Sequence, residues 1–190
     1  MSAARLVLAS QSPRRRGLLA LITDDYRAVA SDIDETPFRC LPARRQCAAA
    51  ALAKARAVAC APEEAVIACD TVVAAGHRVL GKPADRAEAV AFIKLLSGRT
   101  HAVYTAVTVR WQGREYSFIE RTLVRFCDIP EQEIERYADT PEPYDKAGGY
   151  GIQGRAALMV KRLEGDYFNV MGLPLCRLGQ MLEEIGVYLF

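Results

Sequence analysis

The side chains best equipped for chemistry in this sequence are the cations Arg14, Arg15, Lys54 and Lys82, the acids Glu35 and Asp70, and the amide of Gln153 in a glycine-rich run. Dispersed cations with two carboxylates suit a polyphosphate bridged by a divalent metal, Mg2+ or Mn2+, because such sites combine direct ion pairing with metal-mediated neutralisation. Each group also has a plainer reading. Arginines at a helix start are often a solvated basic end, and a lysine on a helix is usually solvated. The carboxylates of Asp32, Asp34 and Glu35 fit a solvated loop as well as a metal-binding one.

The elements that must position these groups follow from the pattern around them. Leu6-Val7-Leu8-Ala9 is an apolar run of strand length, followed by Ser10-Gln11-Ser12-Pro13-Arg14-Arg15-Arg16 and then Leu18, Leu19 and Ile22 at helical spacing. A strand feeding a helix is predicted, with the Ser12 hydroxyl as N-cap and Pro13 at the first helical position. Free first-turn N–H groups, the hydroxyls of Ser10 and Ser12, and arginines that the helix dipole disfavours at that end together resemble a phosphate cradle. Lys54 lies on an alanine-rich helix predicted over residues 43–59. Ala65 to Cys69 reads as a buried central strand, which puts Asp70 and Thr71 where crevices form in open α/β sheets. Asp70 is not a helix cap, since Val72 and Val73 continue as strand.

Two familiar nucleotide motifs are present in form and fail in detail. Gly76 to Pro83 nearly spells a P-loop, but Pro83 stands where a Ser or Thr would hold magnesium; Gly76 is therefore read as a hairpin turn and Gly81-Lys82-Pro83 as a rigid loop presenting one lysine. Gly149-x-Gly151-x-x-Gly154 matches the dinucleotide fingerprint, yet no strand precedes it and no helix follows, which excludes a Rossmann site. Asp85 with Glu88 resembles a capping box for a helix burying Ala89, Phe92, Ile93 and Leu96. Strict alternation from Val103 to Trp111, the turn Gln112-Gly113 and a return strand over Tyr116–Phe126 make an antiparallel hairpin. A short helix spans Glu131–Ala138. Ala157–Leu163 and Tyr167–Val170 are predicted to complete the sheet, and a last helix from Pro174 buries Leu175, Leu178, Leu182 and Ile185. The fold class is α/β with a mixed sheet and flanking helices, residues 1–190 forming a single domain.

Composition narrows the function. With 25 Lys plus Arg against 23 Asp plus Glu, the formal net charge is +2, which argues against a nucleic-acid binder, as does the absence of an aromatic-basic stripe. The six cysteines form no C-x-x-C pair, so reduced thiols rather than zinc are expected. No apolar run reaches the roughly 18 residues of a membrane span and no secretory h-region is evident, so a cytoplasmic protein without membrane partners is expected.

Taken together, Ser10-x-Ser12-Pro13-Arg14-Arg15, Asp34-Glu35, Lys54, Ala68-Cys69-Asp70-Thr71, Gly81-Lys82-Pro83, Leu96-Ser97-Gly98, Asp145-Lys146-Ala147-Gly148, Tyr150-Gly151-Ile152-Gln153-Gly154 and Asn169-Val170-Met171-Gly172-Leu173-Pro174 resemble the Maf family of nucleoside triphosphate pyrophosphatases nearly end to end. The resemblance implies an elongated mixed sheet, two lobes around a central cleft, a homodimer, and metal-dependent hydrolysis of a nucleoside triphosphate to monophosphate and pyrophosphate. It makes Asp70 the proton acceptor and ties Arg14, Thr71 and Gln153 to substrate choice. Asp70-Thr71 and the Tyr-Gly-Ile-Gln-Gly run look like the branch acting on dTTP and UTP, with modified pyrimidine triphosphates as further candidates; the Gln153 amide matches the N3–H and a carbonyl of uracil or thymine. In this reading Ser10, Ser12, Arg14, Arg15, Lys54, Thr71, Lys82 and Gln153 bind substrate, Glu35 and Asp70 hold the metal, and Asp70 is either base or metal ligand. The competing functions are a nucleotide-binding regulator of cell division without turnover and the same chemistry on 7-methyl-GTP. Gly17 departs from the family, which has glutamate there, at a helix-propensity cost of about 1 kcal/mol relative to alanine.

Overall fold

The computed structural model describes residues 4–189. In chain order the elements are β1 (Arg5–Ala9), α1 (Pro13–Leu19), β2 (Tyr26–Val29), α2 (Ala43–Ala57), β3 (Glu64–Ala75), β4 (Arg78–Leu80), α3 (Arg86–Leu96), β5 (Thr100–Trp111), β6 (Arg114–Phe126), α4 (Glu131–Ala138), β7 (Val160–Glu164), α5 (Tyr167–Met171) and α6 (Leu175–Glu184). All strands join one 7-stranded sheet in the order β2-β1-β3-β5-β6-β7, with β4 also on β3. The β2, β1 and β3 pairings are parallel and the others antiparallel. The class is α/β with a mixed sheet and flanking helices, as the sequence implies.

β1 and the first half of β3 run apolar without alternation because both of their faces are covered. Leu6, Leu8, Ala65, Ile67 and Cys69 pack with Leu18, Leu19 and α6 residues Leu175, Leu178 and Leu182. Val7, Ala9, Val66 and Ala68 pack on the other face against Ala55 of α2 and Val58. A second core at the far end of the sheet joins Val73, Val103 and Val124 to Phe92, Ile93 and Leu96 of α3 and Ile134 of α4. The main cleft opens between residues that flank these cores, Arg15 and Met171 on one side and Val103 and Tyr150 on the other.

The feature that shapes the site is on one edge of β3. β1 pairs with it as far as Leu8 opposite Ile67, and β4 pairs with it only from Val73 onward, Val73 lying opposite Leu80 at the end of β4. Between them β3 has no neighbour strand on that edge among the described residues, and Asp70 and Thr71 stand in the opening.

Three local expectations need correction. Tyr167–Val170 is helix, not strand: the Asp166 carboxylate accepts from Phe168 N at 2.7 Å and Gly172 closes the turn at φ 110°, so the caps outweigh the β-branched and aromatic content of a very short run. Residues 155–159 form a 3-10 turn, and β7 begins at Val160. Ser12 occupies the N-cap of α1 without using its hydroxyl there; the Ser10 hydroxyl instead accepts from Ser12 N at 3.2 Å. The capping box at Asp85 is present, with Asp85 Oδ1 accepting from Glu88 N at 2.8 Å.

Gly17 lies inside α1 with open space around an added Cβ. Gly17→Ala is therefore expected to stabilise the protein by about 1 kcal/mol, read by urea unfolding. His101 is buried between Phe126 and Tyr150, with Nε2 2.7 Å from the Tyr150 hydroxyl, and burial depresses its pKa to about 4. The unfolded chain therefore binds the extra proton between pH 6.5 and 4, so stability is complete above that window and falls through it on acidification. Relative to a His101→Leu variant, the wild type should lose up to about 3 kcal/mol across those pH units; parallel pH profiles of unfolding would contradict this.

Candidate active site

Asp70 and Thr71 are consecutive in a strand and so present their side chains to opposite faces of the sheet. On one face, Cys47, Ala51 and Ala55 form the buried stripe of α2, and the small alanines let the helix lie close to β3. Lys54 belongs to the same buried face. Its Nζ donates to Asp70 Oδ1 at 2.7 Å and stands 2.7 Å from Glu35 Oε1. One ammonium thus joins a carboxylate from mid-strand to one from the loop after β2. A cavity of about 420 Å3 opens beside them, lined by Glu35, Arg39, Gln46, Asp70 and Lys82. Burial first, and then the charge of Asp70, pushes the nearby Cys47 thiol up to about 12.

On the other face the Thr71 hydroxyl accepts from Arg15 Nη2 at 3.1 Å, and Arg15 Nε donates to Gly172 O at 3.0 Å. Thr71 Oγ1 also lies 2.9 Å from Thr105 Oγ1, which donates to Asn169 O at 2.9 Å. Asn169 is fully buried and its Nδ2 donates to Val103 O and to Thr122 Oγ1. Gly172 is required here: a Cβ would come 3.2 Å from Thr71 Oγ1 and 3.3 Å from Arg15 Nε, at a positive φ. Arg15 is thereby a brace between α1 and the turn before α6.

Arg14 reaches across the cleft, its Nη1 donating to Asp145 Oδ2 at 2.7 Å. Burial acts to raise the pKa of Asp145, but hydrogen bonds from Lys146 and Arg14 outweigh it and hold the carboxyl below its usual value. Lys82 is exposed and makes no ion pair among the described residues. Its loop is fixed by Gly148 N donating to Gly81 O at 2.9 Å, and Gly148 lies so near Val73 that a Cβ would meet its Cγ1 at 2.9 Å.

The main cleft, about 450 Å3, is lined by Ser12, Arg14, Arg15, Thr71, Lys82 and Gln153 among others. A third cavity of about 390 Å3 adjoins it, with Ser10, Ser12, Arg14, Glu35, Lys54 and Lys82 in its walls. Lys82 borders all three spaces, and every predicted site residue lines at least one of them. Sequence reading missed Thr105 and Asn169, which tie Thr71 to α5, and Glu142, whose carboxylate accepts from the amides just after Gln153. Asn169 does sit in one of the family-like runs; Thr105 was masked by an otherwise apolar alternation, and Glu142 by a loop of turn residues. Among the described residues no cluster of three or more His, Cys, Asp and Glu is arranged as a metal site.

The model of the family described as Maf-like protein matches residues 5–185. A protein of Exiguobacterium sibiricum named dTTP/UTP pyrophosphatase is 48% identical over 183 residues, covering 96% of this chain and 93% of that protein. One of the same name from Moorella thermoacetica is 50% identical over 186 residues, covering 96% of each. Among solved structures, a HAM1 protein from Coxiella burnetii is loosely similar, with 16% identity and a TM-score of 0.49 over 95% of this chain and 99% of that one. The near end-to-end identity and the family match establish that this chain belongs to the Maf-like protein family.

Proposed function

We propose that the chain hydrolyses dTTP and UTP, and modified pyrimidine triphosphates that fit the same cleft, to the monophosphate and pyrophosphate. The observation that carries this reading is the convergence of Gln153, Arg14, Lys82 and the Lys54–Asp70–Glu35 group on adjoining cavities at one open sheet edge. An amide for a base, cations for phosphates and a carboxylate for a water proton are the parts this hydrolysis needs. The relatives' name supplies the choice of substrate.

In this reading Gln153 pairs with the pyrimidine edge, and Arg14, Lys82 and the Ser12 hydroxyl, which is not spent on capping α1, hold the triphosphate. Lys54 orients Asp70 through Oδ1, which leaves Oδ2 for a water. Asp70 takes the proton as the water oxygen bonds to the α-phosphorus; the bond to the bridging oxygen breaks, and pyrophosphate leaves with its charge held by Lys82 and Arg14. Arg15 positions Thr71 and the turn at Gly172.

The acid pair fits a divalent metal. Glu35 and Asp70 are hard oxygen donors already turned toward one cation at 2.7 Å each, and Mg2+ is usually held by one or two carboxylates completed by waters and substrate phosphates. In the alternative in which Asp70 is a metal ligand instead of the base, an ion held by Glu35 and Asp70 would neutralise phosphate charge and acidify the attacking water.

A panel of nucleoside triphosphates with product analysis tests the proposal: UTP and dTTP should yield monophosphate and pyrophosphate, with chelator abolishing turnover. Release of orthophosphate, or binding without turnover, would overturn it. Asp70→Asn keeps the side-chain volume and should lower kcat by a factor of about 100 or more; wild-type turnover in that variant would remove Asp70 from both of its roles.

A further inference from the structure

Gln153 sits on a segment with little regular structure, where the main chain passes from Tyr150 through Gly151, Ile152 and Gly154 into a 3-10 turn. Its side chain is exposed, so a fixed reading of a base requires that something else hold its backbone. Glu142 is the group that touches it there. Glu142 Oε2 accepts from Arg155 N at 2.8 Å, and Oε1 accepts from Ala156 N at 3.2 Å and from the Tyr137 hydroxyl at 3.1 Å. One carboxylate thus gathers two successive main-chain amides immediately after the Gln153-Gly154 pair, and Tyr137 of α4 anchors it from behind. Burial raises the pKa of the Tyr137 hydroxyl, and the charge of Glu142 raises it further, so it stays a proton donor to the carboxylate.

Gly154 reports the same contact from the other side. Its φ of −103° is not in the left-handed region, and what a side chain lacks there is space. An added Cβ would lie 2.4 Å from Glu142 Oε2 and 2.5 Å from both its Cδ and Oε1. The glycine is there because the carboxylate occupies the space. Gly151 is similar, its missing Cβ displaced by Lys146 at 2.7 Å, and Lys146 Nζ in turn donates to the Glu142 carbonyl at 2.8 Å.

We infer that Glu142 is a positioning residue for substrate recognition: by clamping the amides after Gln153 against a side-chain-free Gly154, it fixes where Gln153 meets the base. This rests on the reading of the cleft as a pyrimidine triphosphate site. The carboxylate's contacts do not involve Asp70, Lys54, Lys82 or Arg14; the link toward Arg14, through Lys146 and Asp145, runs from the Glu142 main-chain carbonyl, which a side-chain substitution keeps, so the Glu142 carboxylate governs the base end and leaves the phosphate end alone.

The test uses Glu142→Ala and Gly154→Ala, one removing the clamp and the other displacing it, with UTP as substrate and inorganic tripolyphosphate as competitive inhibitor of the same site. Each variant should lower kcat/KM for UTP about tenfold or more, because a base contact is misplaced, while the inhibition constant for tripolyphosphate stays within about twofold of wild type. The double variant should be no worse than Glu142→Ala alone, since the methyl added at position 154 then has room. An unchanged kcat/KM in both single variants, equal losses for UTP and tripolyphosphate, or additive effects in the double variant would overturn the inference. Wild-type turnover of UTP is measured in the same series: its absence would refute the proposed function itself, whereas its presence with unaffected variants would refute the role of Glu142 alone. Gly154→Ala alters an exposed loop and leaves the core intact, so it carries the test should Glu142→Ala fold poorly.

Discussion

A lysine buried against a carboxylate in the middle of a sheet strand is the interaction on which the site depends. The Lys54 and Asp70 side chains are only 10% and 12% exposed, whereas that of Glu35 is 49% exposed. An ammonium without a partner in such surroundings costs several kcal/mol, so Lys54 and Asp70 require one another, and Glu35 is the outer third member that solvent can replace. The alanines of α2 make this possible. Bulkier residues at Ala51 or Ala55 would lift the helix from β3 and take the ammonium out of reach of Asp70.

The sheet supplies the other half of the arrangement. A parallel strand and an antiparallel one share one edge of β3 and leave its middle uncovered, so the alternation of the strand delivers Asp70 to α2 and Thr71 to the cleft from adjacent positions. Ordinary α/β sheets gather ligands beyond their strand ends. Here the candidate residues gather along the edge itself, and β1 ends just short of it where the loop holding Ser10 and Ser12, and α1 with its arginines, line the adjoining cavities.

Much of this was legible in the residues. The two-sided burial of β1 and β3 was written in their unbroken apolar runs, the β5–β6 hairpin in its alternation, and Asp70 in the strand that continues past it. Failure came where the pattern was too short to have a period, as at Tyr167–Val170, where the flanking Asp166 and Gly172 were better guides than the residues between them. The role of Arg15 was also opaque. Arg14 and Arg15 are identical in type and adjacent in sequence, but one spans the cleft to Asp145 and the other holds Gly172 and Thr71, a division set by helix rotation and by partners more than a hundred residues distant for the cleft pair. Glu142 was invisible for a related reason: its partners are main-chain amides, which no side-chain pattern advertises.

Hydrogen-bond accounting at Thr71 gives the cleft a polarity. The single proton of Thr105 goes to the Asn169 carbonyl, so the hydroxyl of Thr71 must give its own proton to Thr105, while one of its lone pairs already receives Arg15. What Thr71 still offers to the cleft is one lone pair and no hydrogen. A group that settles against it must therefore arrive bearing a proton, and a carbonyl or an unprotonated ring nitrogen at that spot meets an oxygen that repels it.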